Sequence, residues 1–147
     1  MRGRLAGMPS LTRAEATLRA AALTVTGYAV HLDLDAGETR FGSRTVVDFR
    51  VLQDGVQTWV DLKASDLAAA EVDGIPIDVG AWDDGRLALP TLSAGEHRLT
   101  VEATMAYRRD GSGLHRAVDP ADGEAYVYAQ SFLDYAPAVF ACFDQPD

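Results

Sequence analysis

From Phe41 to Val51 the chain alternates with a period of two. Phe41, Ser43, Thr45, Val47, Phe49 and Val51 fall on one side, and Arg44, Asp48 and Arg50 on the other. Successive side chains of a β-strand point to opposite faces, so this pattern describes a strand with one covered face and one wet face. Such a strand needs neighbours of the same kind, and the sequence supplies them. Leu99, Val101, Ala103, Met105 and Tyr107 alternate with Thr100, Glu102 and Thr104, and Tyr28, Val30, Leu32 and Leu34 oppose His31, Asp33 and Asp35. A half-solvated antiparallel sheet accommodates all three runs.

Turn signals separate the strands. Asp54-Gly55 precedes a strand over Val56 to Leu62 that carries Trp59. Asp73-Gly74 joins Ala69–Val72 to Ile75–Val79 as a hairpin, and Asp84-Gly85 separates Trp82 from Leu87. Asp-Gly is favoured where a two-residue turn needs positive φ. Before the strands, Thr12 and Glu15 form a capping-box pair ahead of a helix over Ala14 to Ala22, with Gly27 ending that stretch. Arg108 to Gly123 reads as a long polar loop, Tyr126 to Gln130 as a last strand, and Phe132 to Phe143 as a short helix broken near Pro137. The expected class is all-β: an antiparallel β-sandwich or saddle-like open barrel with a short N-terminal and a short C-terminal helix.

Charge narrows the function. Thirteen Lys and Arg against 22 Asp and Glu give −9, which disfavours a nucleic-acid or anionic-membrane surface. No run is long and apolar enough for a membrane span, because Arg19 interrupts the stretch around Ala20 to Leu23. The one cysteine, Cys142, cannot form an internal disulfide, so the expected compartment is reducing and the localisation cytoplasmic. Residues 1–10 are expected to be a disordered leader and 11–147 the folded domain, with either Met1 or Met8 as the start.

Candidate chemistry is sparse. His31, His97 and His115 are scattered and show no zinc spacing. His31 and His97 are expected at strand surfaces or turns. His115, inside Gly113-Leu-His-Arg-Ala-Val-Asp, is expected to pin the long loop, it or Arg116 pairing with Asp119. Cys142 sits between Ala141 and Phe143 as a small buried hydrophobe. Asp83-Asp84, Asp119, Asp122 and Asp134 are turn carboxylates with no acid–base spacing, so no residue is assigned as catalytic or as a metal ligand. Gln130 is the one substrate-binding candidate. Strand alternation puts it on the face of Tyr126 and Tyr128, opposite Val127 and Ala129, where a sheet delivers a polar group to a pocket.

These residues resemble a specific family. Tyr126-Val-Tyr-Ala-Gln, the interval from Gln130 to Phe140, and Ala141-Cys-Phe-Asp-Gln-Pro-Asp are similar to the amino-terminal domain of the aminopeptidase N family of zinc metallopeptidases. Leu11-Thr-Arg-Ala-Glu-Ala, Tyr28-Ala-Val-His-Leu-Asp-Leu, Phe41 to Phe49 and Gly111-Ser-Gly-Leu-His-Arg-Ala-Val-Asp-Pro follow in the family's order, so the resemblance runs from about Met8 onward. It implies a saddle-like β-domain packed on a downstream thermolysin-like catalytic domain that carries G-x-M-E-N and H-E-x-x-H and holds zinc. The motifs G-x-M-E-N and H-E-x-x-H do not occur in these residues. The resemblance gives Gln130 a role in lining the pocket for the peptide substrate's first residue. It also marks a departure: the family's acidic residue two positions after that Gln falls on Phe132, leaving Asp134 as a substitute for holding the substrate's amine.

The expectation is therefore an amino-terminal, pocket-lining domain of an aminopeptidase, truncated before its catalytic part. By itself it would have no cofactor and no activity, and zinc would belong to the downstream domain. The expected partners are that domain and a peptide amino terminus. Two other classes stay open, a stand-alone β-sandwich adaptor and a carbohydrate-binding sandwich using Trp59 or Trp82 as a platform.

Overall fold

The computed structural model describes residues 10–131 and 134–145. These residues are predominantly β and antiparallel, and among them no closed barrel forms. The expected leader lies outside the described residues apart from exposed Ser10, and Phe132 lies outside them too.

Helix α1 (Arg13–Ala22) opens on the expected capping box: Glu15 N–H donates to Thr12 Oγ1 at 3.2 Å, and Thr12 N–H to Glu15 Oε2 at 2.8 Å. Gly27 does not end this stretch. The chain passes directly into β1 (Leu23–Asp33), whose early β-branched residues Thr24, Val25 and Thr26 suit a strand, and Gly27 sits at a bulge where the register shifts.

The larger sheet has the order β1-β2-β8-β4-β5, with β2 (Arg40–Val51) and β8 (Gly95–Ala106) at its centre and β4 (Asp66–Val72) and β5 (Ile75–Pro76) beyond them. Every residue of the alternating inward set on β2 is buried, from Phe41 to Val51. On the outer face the cross-strand pairs are charged: Arg44 opposite Glu102, Asp48 opposite Arg98, and Arg50 opposite Glu96, each joined by an ion pair. One face is therefore core and the other solvent, as the sequence pattern requires.

Strand β4 (Asp66–Val72) turns through Asp73-Gly74, at φ 54° and 78°, into the two-residue β5 (Ile75–Pro76). The second sheet, β3-β7-β6, is formed by β3 (Trp59–Asp61), β6 (Trp82–Asp83) and β7 (Arg86–Ala88), with Asp84-Gly85 as its hairpin turn. The strand expected over Val56 to Leu62 shrinks to β3, with Val56 making an isolated bridge to Leu92. Val60, Leu62 and Leu87 bring this small sheet into the core beside Phe41, Phe49, Leu99, Val101 and Met105.

Two expectations near the C-terminus change. The segment Arg108–Gly123 is not one loop, because Gly113–Val118 forms strand β9 and pairs along its whole length with β10 (Ala125–Gln130). Leu-His-Arg-Ala-Val shows no alternation because this ribbon stands largely clear of the core, so no burial pattern marks it. The expected short C-terminal helix is a single 3-10 turn at Ala136–Ala138, with Pro137 removing a backbone donor.

Candidate functional site

Gln130 closes β10 in register with Gly113 at the start of β9. Gly113 has φ of +62°, and a Cβ there would lie 3.5 Å from Ala138 Cβ. Glycine suits this position because only it adopts the left-handed backbone without cost. The ribbon can therefore leave the Arg108–Ser112 turn close to the 3-10 turn.

The turn is fixed by its own polar groups. Asp110 pairs with Arg108 at 2.7 Å and accepts from Ser112 Oγ at 2.6 Å and Ser112 N–H at 3.0 Å. The Arg108 guanidinium, helped by Ser112, holds the Asp110 carboxyl well below the usual carboxylate range. Gly111 N–H donates to His115 Nδ1 at 3.0 Å, and the His115 ring stacks on Tyr128 with centroids 4.8 Å apart. His115 does pin this region, but through Gly111 and Tyr128. Asp119, the expected partner, accepts instead from Ala121 N–H.

Around Gln130 these elements enclose a small open cavity of about 210 Å³, lined also by Asp110, Ser112 and Tyr135. Nearby runs a wider apolar groove of about 770 Å³ between Tyr28, Phe140 and Phe143, with Ser131, Asp134 and Asp144 at its polar positions. Strand β1 contributes Tyr28 to its lining. Tyr28 and Val30 stand opposite buried Val47 and Thr45, yet each is 41% exposed, because the small sheet does not extend over this edge. Burial, and then the negative charge of Asp61, raise the Asp144 pKa.

The Cys142–Gln145 segment forms the groove's inner wall, and its placement depends on residues that pattern reading overlooks. Asp61 and Cys142 exchange backbone hydrogen bonds at 2.8 and 3.1 Å, and Phe143 N–H donates to the Tyr28 hydroxyl at 3.0 Å. Arg19 is 4% exposed. Its Nε donates to Gln145 Oε1 at 2.9 Å, its Nη1 to the Trp59 carbonyl at 3.1 Å, and its guanidinium faces Asp61 at 3.8 Å. Gln145 Nε2 donates in turn to the Ala16 carbonyl. Arg86 grips Glu15 through two nitrogens at 2.8 and 3.2 Å and stacks 4.3 Å over Trp59. That grip and the Thr12 backbone bond hold the Glu15 carboxyl down at about 2. The single sequence signal for this cluster is Arg19 itself, a charge inside an apolar run.

Other candidates are placed apart from the cavity. His31 is exposed on β1 opposite Arg44, and His97 is held between Asp73 and the Ser93 carbonyl. Cys142 is buried, and burial pushes its thiol far up. Asp134 lines the groove with φ of +71°, its carbonyl accepting from Lys63 Nζ at 2.7 Å. Trp59 carries two guanidiniums on its ring and Trp82 donates to the Leu62 carbonyl, so both indoles are engaged in packing. Among the described residues no three His, Cys, Asp or Glu side chains come together in a way that could hold a metal ion. Among them, too, no helix is long and apolar enough to cross a membrane.

No family model matches the chain. In sequence it is 41% identical over 141 residues to Aminopeptidase N of Streptomyces lividans, an alignment covering 94% of this chain. The same alignment covers 16% of that protein, so the chain spans about a sixth of its relative's length.

Proposed function

We propose, from the kinship of this chain with aminopeptidase N, that it is the amino-terminal, substrate-facing domain of a zinc-dependent aminopeptidase, with Gln130 lining the pocket for a peptide's first residue. The kinship carries the reading, and the place of Gln130 supports it. The side chain stands at the end of an uncharged aromatic strand, beside a cavity and close to an apolar groove with carboxylates at its polar positions. A neutral amide there can accept from or donate to a substrate's terminal groups without bringing a charge that would need a partner.

Zinc held by residues outside this chain would supply Lewis-acid activation of the hydrolytic water. The residues described here would bind and orient. Gln130 offers hydrogen bonds to the substrate's end, Tyr135 supplies an aromatic wall, and the Asp110 turn keeps the ribbon's base rigid. The downstream catalytic domain would be the main partner, docked where aromatic side chains stand free of the core, with Tyr126 and Tyr128 about half exposed.

The test is Gln130→Ala in the full-length enzyme. Losing one or two hydrogen bonds to a charged terminus should raise KM for aminoacyl substrates about tenfold to a hundredfold. An unchanged KM, with folding intact, would remove Gln130 from the site. Failure of the full-length protein to release amino-terminal residues would sink the whole reading and favour an adaptor.

A further inference from the structure

The cavity at Gln130 and the apolar groove adjoin. Ser131 follows Gln130 directly and lines the groove, and Asp134 lines the groove while its neighbour Tyr135 lines the cavity. A ligand whose end lies at Gln130 can therefore continue into the groove. The two spaces differ in size, about 210 Å³ against about 770 Å³, so the groove has room for the longer side chain.

The groove's chemistry narrows what that side chain can be. Tyr28 and Phe140 meet edge to face with centroids 6.1 Å apart, and Phe143, whose N–H donates to the Tyr28 hydroxyl, adds a third ring. Such walls suit a methylene stem, and ring faces attract a cation. Among the described lining residues the charged ones are Asp134 and Asp144, with no Lys, Arg or His. Asp144 is half-buried. Burial, then Asp61, then Asp134 work against its charge, and Lys63 and Arg19 offset this only in part. A neutral ligand covering the groove would strip water from these carboxylates and leave them uncompensated. An anionic ligand would be repelled by both. A long side chain with a cationic head satisfies the rings and the carboxylates together.

We propose that the groove is a subsite for the second residue of the peptide and selects lysine or arginine there. The inference rests on the reading of Gln130 as the contact for the first residue, because adjoining subsites take adjoining residues. Successive Cα atoms of a peptide lie about 3.8 Å apart, the same step as from Gln130 to Ser131. The stem of the basic side chain runs along Tyr28 and Phe140. Its head pairs with Asp144, and Asp134 adds negative charge at the exposed side of the groove.

The test is hydrolysis by the full-length enzyme of three peptides that differ only in the second residue: Ala-Lys, Ala-Met and Ala-Glu, each followed by one common sequence. Met approaches the length of Lys without its charge. The Lys peptide should exceed the Met peptide in kcat/KM about tenfold or more, and the Glu peptide should fall below both. Asp144→Asn, and independently the exposed Asp134→Asn, should shrink the ratio of Lys to Met. A merely structural role for these residues would lower all three peptides together and leave the ratio alone. Equal kcat/KM for the Lys and Met peptides overturns this inference and leaves the reading of Gln130 standing. So does a Lys advantage that survives both substitutions. No hydrolysis of any of the three removes that reading and this inference together.

Discussion

His97 has both ring nitrogens against oxygen acceptors, Asp73 Oδ2 at 2.7 Å and the Ser93 carbonyl at 2.8 Å. Neutral imidazole has one N–H and can satisfy only one of them; the cation satisfies both. Burial works against the cation, but the Ser93 carbonyl and the Asp73 carboxylate, with Glu96 nearby, outweigh it and raise the pKa above 6.5. A raised folded pKa means that the pair's stability is fully present below 6.5 and is lost as pH rises through the higher folded value. The difference in urea midpoint between the parent and His97→Gln should therefore shrink above pH 6.5, and a difference that stays flat across that range would refute the linkage. The sequence alone placed His97 at a surface or turn but could not reveal Asp73, which arrives through a hairpin from a neighbouring strand. The place of Gln130 at the end of an aromatic strand was legible for the opposite reason: strand alternation and its aromatic neighbours are local. Its cavity was not, because Asp110 and Tyr135 approach from other parts of the chain.

Among the elements, α1 shows how a correct reading can miss the energetics. Its capping box was legible as a spacing, yet the helix leaves Leu18 72% exposed and buries Arg19. No hydrophobic periodicity predicts that choice. It follows from Asp61, the Trp59 carbonyl and Gln145, all distant in sequence. Burial raises the Asp61 pKa and the Arg19 charge partly offsets this, so removing Arg19 leaves a buried carboxylate with Arg86, at 3.9 Å, as its remaining cation. Arg19→Met should cost about 3 kcal/mol or more, whereas the double change Arg19→Met with Asp61→Leu should recover much of that loss. Chemical denaturation of the two variants checks this, and equal destabilisation of both would rule out the charge as the cause. Strand β9 was hidden for a different reason. Gly111, Gly113 and Gly123 are real turn signals at positive φ, but burial along β9 falls steadily from buried Gly113 and Leu114 to exposed Ala117 and Val118 instead of alternating, so it imposes no period of two.

At the scale of the whole molecule, the sandwich was legible because β2 and β8 write their covered faces directly into the sequence. The uneven coverage was not. The small sheet reaches Phe41 and Phe49 but leaves Tyr28 and Val30 at 41% exposure, a matter of how far one layer overlaps another. The central pairing also has a consequence in time. β1 and β2 are consecutive, but β2 gains its other neighbour only from β8, Val51 meeting Gly95 and Arg40 meeting Ala106, so everything from Leu52 to Ala94 must first be looped out. Sheets dominated by such distant pairings fold on a scale of roughly milliseconds to seconds. Val101→Ala, at the middle of that pairing, should slow refolding in stopped-flow measurements; if its whole effect lies in unfolding, the β2–β8 contact forms late instead. During synthesis the delay is longer still, and until β8 emerges the β1–β2 hairpin waits with one unpaired backbone edge and an apolar face open to whatever is nearby.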